Sequence, residues 1–245
     1  MNTTRRLIIP GLFTALAFVC LVGLGIWQLE RLHEKEALLA RIAERLEQAP
    51  VALPAESEWA ALAPSDYDYR KVTLTGRFLQ QRETHLFSFI AKGERGDTIP
   101  GYMVFTPLVL ENGATVIINR GFVPEALKDQ SLRTAGQLEG PVSITGLMRA
   151  PEKRGLFTPA DSIEKNIYFT RDAKILAEAL NLPRVAAFTI DADETPVPGG
   201  APLGGQTIVS VPNNHLQYAL TWFALALALL GVFVAFVRKA GTRAA

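Results

Sequence analysis

The chain has 245 residues, a formal net charge of +1 and a hydrophobic fraction of 49%. That near-neutral balance gives no electrostatic case for nucleic acid or for an acidic partner. One cysteine, Cys20, cannot close an intramolecular disulfide; without CxxC or CxxCH, cysteine-ligated zinc, a thioredoxin site and c-type haem attachment are excluded too.

The apolar residues collect at the two ends. Residues 7–29, LIIPGLFTALAFVCLVGLGIWQL, carry no charge and exceed the ~20 residues a helix needs to cross the hydrocarbon layer. Arg5 and Arg6 precede them, as in a signal peptide. The run is longer than a signal core, however, and no small-x-small cleavage site follows, so it reads as an uncleaved anchor. Residues 30–50 continue as a helical stalk, with Leu32, Leu39, Ile42 and Leu46 at helical spacing and Pro50 and Pro54 as the stop. That stripe is expected to pack on the domain that follows.

Residues 51–215 form a β-rich domain, in which the period changes to two from Tyr69. In RKVTLTGRFL, Val72 and Leu74 point inward and Thr73 and Thr75 outward. THLFSFI is a second strand, and KGERGD (92–97) a compact hairpin connection. YMVFTPLVLENGATVIINRGFV holds two strands around Asn112-Gly113, a strong hairpin signal. GPVSITGLMR is a further strand. RDAKILAEALNL is a short helix with Ile175, Leu176, Ala179 and Leu180 on one side and Pro183 as the stop. AAFTIDAD and GQTIVSVP close the set, and TPVPGGAPLGGQT between them reads as an irregular Gly/Pro loop. Asp191, Asp193 and Glu194 lack the spacing of a calcium loop and read as a solvated acidic turn. His85 reads as a structural strand histidine and His33 as solvent-exposed. GxSxG, HExxH and GxxxxGK[ST] are all absent, so a binding or scaffolding role is expected rather than an enzyme.

A second span covers 216–237, and Arg238, Lys239 and Arg243 follow in the tail 238–245. With Arg5 and Arg6 in the opposite tail, 1–6, the positive-inside rule puts both termini in the cytoplasm and the central domain on the other side. The fold class is thus a membrane protein, α+β: two transmembrane helices flanking a mainly antiparallel β domain, sandwich-like or a partly closed barrel, with one helix.

Both spans reach the same outer interface. In a helix capped by Asn213 or Asn214, His215, Tyr218 and Trp222 share one face. The first span ends in Trp27, Gln28 and Arg31. An imidazole, a guanidinium suited to a carboxylate, and flat aromatic walls suit a planar, apolar, carboxylate-bearing ligand such as haem. The same residues also suit an ordinary aromatic belt, with Arg31 paired to Glu34 and His215 bonded to a backbone carbonyl.

Several stretches carry a resemblance: Gly25-x-Trp27-Gln28-x-x-Arg31, Tyr69-Arg70-x-Val72, Asn119-Arg120-Gly121-Phe122-Val123-Pro124, Tyr168-x-x-Arg171-Asp172, PVPGGAPLGGQT and NNHLQYALTWF. In this order, between two spans, they resemble the Surfeit-locus protein family of cytochrome c oxidase assembly factors. The resemblance implies a domain outside the bacterial cytoplasm or in the mitochondrial intermembrane space, and a role in maturing oxidase subunit I. It implies noncovalent haem A binding in bacterial members, with His215 as the axial ligand of the haem iron and Trp27, Gln28, Arg31, Tyr218 and Trp222 beside it. Haem A synthase is a further expected partner besides subunit I and the lipid bilayer. Without an Arg/Ser-rich transit segment before the first span, the expected location is a bacterial inner membrane, with the central domain periplasmic. Two other readings stand beside this one: a scaffold for an oxidase intermediate that binds no haem, and a membrane-anchored ligand sensor.

Overall fold

The computed structural model describes residues 3–92, 97–207 and 213–242. The chain divides into two compact units, residues 1–43 with 209–245 and residues 44–208.

In the first unit, helix α1 begins at Thr3 and runs to Glu47, so the expected span and stalk are one unbroken helix that stops before Pro50. Helix α4, His215–Thr242, is the second long apolar helix. Both are long and apolar enough to cross a membrane. Their lipid-type side chains stand outward: Leu12, Phe13 and Leu16 of α1, and Leu220, Leu227 and Val232 of α4, are all more than half exposed. Buried and partly buried positions of α4 recur at His215, Ala219, Trp222, Ala226, Leu229 and Phe233, along one helical face. Small residues meet large ones along it. Phe233 lies beside Gly11, and Phe223 packs so close to Gly25 that a Cβ there would sit 2.5 Å from its ring. Close approach at small residues is how helices pack where lipid removes the hydrophobic drive.

The second unit is built on strands β1 (Val51–Ala52), β2 (Lys71–Phe78), β3 (Thr84–Lys92), β4 (Asp97–Leu110), β5 (Thr115–Pro124), β6 (Val142–Arg149), β7 (Ile167–Tyr168) and β8 (Val185–Ala192). A one-turn helix α2 (Pro64–Tyr67) and helix α3 (Ala173–Ala179) complete it. The sheet order is β1-β2-β6-β8-β5-β4-β3-β7, and β2 also pairs with β4, which closes β2-β6-β8-β5-β4 into a five-stranded barrel. The closing seam sets Gly76, Arg77 and Phe78 against Leu110, Val109 and Leu108. Gly76 is needed there, because a Cβ would strike Leu108 and the Val109 carbonyl.

Alternation in β2 is as expected: Val72 and Leu74 are buried, Thr73 half-buried and Thr75 exposed. Inside the barrel they meet Leu108, Val116, Ile118, Met148, Phe188 and Ile190, and the Trp59 and Tyr67 rings pack against Phe188. β5 does not alternate, because both its faces are covered. Val116 and Ile118 enter the barrel, while Ile117 packs outside with Leu176 of α3. Strands buried on both faces read as continuous apolar runs.

The sheet is mainly antiparallel, as expected, with three short parallel pairings, β1–β2, β5–β8 and β3–β7, and α3 precedes β8, which lies parallel to β5. Three expectations need correction. The helix read over 171–182 is shorter, because Asp172 caps it by accepting from the Lys174 and Ile175 N–H groups. Residues 205–207 are not strand, and the rest of GQTIVSVP lies outside the described residues. The Gly/Pro loop holds a 3-10 turn, Pro198–Gly200, and Leu203 bridges to Phe122. Of the 92–97 connection, Lys92 and Asp97 are paired across the β3–β4 hairpin; the residues between lie outside the described ones, as does Arg243.

Candidate functional site

The two apolar helices bring one pair of site residues together. One turn beyond Gly25, Gln28 of α1 reaches His215, the first residue of α4: His215 Nδ1 lies 2.7 Å from Gln28 Oε1. An amide oxygen only accepts, so Nδ1 carries the proton, and in the neutral ring the lone pair is then on Nε2. A neutral imidazole in this tautomer, oriented through its other nitrogen, is what a metal or haem iron takes as a ligand. The donor chemistry at His215 therefore fits an axial ligand.

The other expected site residues stand apart from this pair. Arg31 donates to Glu34 Oε2 at 2.7 Å, and its guanidinium lies 5.7 Å from the Trp27 ring. Its charge is thus engaged within α1. Trp27 and Tyr218 are 46% and 54% exposed, in keeping with interfacial aromatics, and Trp222 is half-buried. None of the three makes a polar or ring contact with His215. Asn214 stands at the expected N-cap position, its backbone carbonyl accepting the Tyr218 N–H, while Asn213 Oδ1 is buried without a partner among the described residues.

In the barrel unit, the motifs quoted above form a buried charge network that the sequence does not announce. Asp191, read as part of a solvated turn, is 3% exposed. Its carboxylate accepts from Asn119 Nδ2 at 3.0 Å, Arg149 Nη1 at 3.1 Å, Arg171 Nη1 at 2.8 Å and Thr207 Oγ1 at 2.7 Å. Arg149 also binds Asp68 and the Tyr69 hydroxyl and lies over the Tyr69 ring. Tyr69 adopts a φ of 64°, a strained value for a residue with a Cβ, held by these contacts and by its N–H bond to the Met148 carbonyl. Gly121, at φ 117°, lies so close to the Leu203 carbonyl that no side chain fits.

A second cluster lies on β3. Glu83 is paired with Arg133 and lies 2.9 Å from His85 Nε2, an approach off the line of a hydrogen bond. Burial pushes the Glu83 carboxyl up, but His85 and Arg133 pull it below the ordinary range. His85, 8% exposed, packs edge-on to Tyr102, in keeping with a structural histidine. His33 is exposed, with Nδ1 2.9 Å from the Leu29 carbonyl. A signal for Asp191 was present only in part: strand alternation puts it with Thr189 on the face opposite Phe188 and Ile190, but its partners come from four other segments.

A closed barrel flanked in the sequence by two long apolar helices defines a membrane-anchored protein of the α+β class. A model of the SURF1 family matches residues 15–227. The SURF1-like protein of Monosiga brevicollis is 37% identical over 95% of this chain and 90% of its own length. Surfeit locus protein 1 of Mus musculus is 33% identical over 89% of this chain and 72% of that protein, and the Homo sapiens protein of the same name 34% over 84% and 70%. The chain belongs to the SURF1 family.

Proposed function

We propose that this protein is a non-enzymatic assembly factor for cytochrome c oxidase that holds haem A at the outer membrane interface and assists its insertion into subunit I. Family membership supports the oxidase role. The observation that carries the haem reading is the 2.7 Å contact between His215 Nδ1 and Gln28 Oε1, which leaves Nε2 free to donate. In this reading His215 is the axial ligand and Gln28 fixes its tautomer and ring plane. Bound haem supplies the iron that takes that lone pair and the planar apolar face that the interface accommodates. Tyr218, Trp222 and Trp27 supply aromatic surface at the same depth. Arg31 serves a carboxylate only after release from Glu34, so its share is smaller than that of His215. Subunit I and haem A synthase are the partners, a bacterial inner membrane the location, and the barrel domain is periplasmic with both termini cytoplasmic.

The experiment is purification in mild detergent after co-production with haem A synthesis. The expected result is a haem absorption band, lost in His215→Ala and kept in His85→Ala. A wild-type protein without haem removes the haem reading and leaves the scaffold. Oxidase activity and haem content unchanged in a deletion strain would remove both and leave the sensor.

A further inference from the structure

Arg120 differs from the other buried arginines of the barrel unit. Arg133 faces Glu83, Arg149 faces Asp68 and Asp191, and Arg171 faces Glu152 and Asp191. Arg120 is 3% exposed, yet among the described residues it donates only to neutral oxygens, Gln80 Oε1 at 3.0 Å and the Gly136 carbonyl. Those two bonds leave part of the five-donor guanidinium uncommitted. The acid that acts on it, Glu83, is already engaged by Arg133 and His85. Burial without a carboxylate of its own pushes the Arg120 pKa down to about 10. A buried cation without a matched anion is costly.

The guanidinium lies 4.7 Å from the Phe78 ring, and both line a cavity of about 170 Å³. Leu138, Ile144, Pro196 and Val197 make the walls apolar, and Thr145 and Thr195 add hydroxyls. Asp193 also lines the cavity, with Oδ1 accepting the Thr195 N–H. Its negative charge opposes a dianion more strongly than a single anionic group. Two of the stretches marked in the sequence meet here: Arg120 comes from Asn119–Pro124, and Pro196–Pro198 from the Gly/Pro loop.

We propose that this cavity binds a monocarboxylate on a small branched apolar body, with Arg120 receiving the carboxylate. A free short-chain acid and the C-terminal residue of a protein chain share that chemistry.

The test titrates the full chain in detergent with isovalerate, with neutral isovaleramide and with inorganic phosphate, read by calorimetry. The expected result is saturable binding of isovalerate alone, weakened at least tenfold in Arg120→Gln. Ser143→Leu, at an exposed strand position on the cavity wall, should weaken it while leaving Arg120 intact. It decides the matter if Arg120→Gln does not fold. An acetylated peptide ending in leucine, free against amidated, separates the sources: binding of the free form alone points to a chain terminus, and binding of isovalerate but neither peptide to a free acid. Equal binding of acid and amide, no binding of isovalerate, or unchanged binding in both variants would overturn the proposal.

Discussion

Gln28 and His215 are 187 positions apart in the chain, yet the amide oxygen of one lies 2.7 Å from Nδ1 of the other. The bond fixes which ring nitrogen is protonated. Gln28→Leu should therefore shift His215 toward a mixture of tautomers, readable by nitrogen NMR of the haem-free protein. Removing such an orienting partner typically costs 10–100-fold in metal affinity, so haem retention should fall by about tenfold. An unchanged tautomer would show that Gln28 does not orient the ring.

Gly25 lets the two helices approach. Gly25→Val places a branched side chain where the Phe223 ring lies, and should part the helices enough to break the contact between Gln28 and His215. Phe223→Ala in the same protein should restore it. Disulfide trapping between cysteines placed on α1 and α4, in a Cys20→Ser background, measures both; failure of the rescue would mean that Phe223 is not the obstruction.

Asp191 is the shared counter-charge of Arg149 and Arg171. Asp191→Asn keeps its size and removes its charge, leaving two buried cations short of a partner. Breaking a buried pair costs about 3–5 kcal/mol, so the barrel should unfold at markedly lower denaturant, with no effect of comparable size for Asp193→Asn.

Glu83 gives the barrel a pH dependence. Its folded pKa lies below its ordinary value of 4.5, so the unfolded chain takes up the proton first. The stability it contributes is fully present above about pH 4.5 and is lost as the pH falls through the lower folded value. Acid titration of unfolding should show this loss in wild type and a shallower one in Glu83→Gln.

Local patterns carried much of this fold. The alternation of Val72 and Leu74, the Asn112-Gly113 turn and the two long apolar runs depend on near neighbours, and each is visible within ten to twenty-five residues. Barrel closure was not legible, because β2 meets β4 through Gly76–Phe78 and Leu108–Leu110, segments that sequence order does not pair. The parallel β5–β8 pairing was hidden in the same way, since β6 and β7 intervene. At the site, the helix that begins at His215 was readable, and so was the option of Arg31 pairing with Glu34. The contact with Gln28 was not, since it joins the two ends of the chain. Asp191 was misread for a physical reason: a carboxylate is usually solvated unless paired, and its partners lie 20, 42 and 72 residues away.

The β2–β4 seam also bears on how many copies can share one membrane. Five strands with no free border offer no template for a neighbouring chain to extend. The outer border of β3 is different: β7 covers it only at His85 and Leu86, and from Phe87 onward it pairs on one side only among the described residues. Phe87 and Phe89 stand exposed along that stretch. At high surface density, cross-chain strand addition would start there, and a lysine in place of Phe89 should raise the concentration at which copies aggregate.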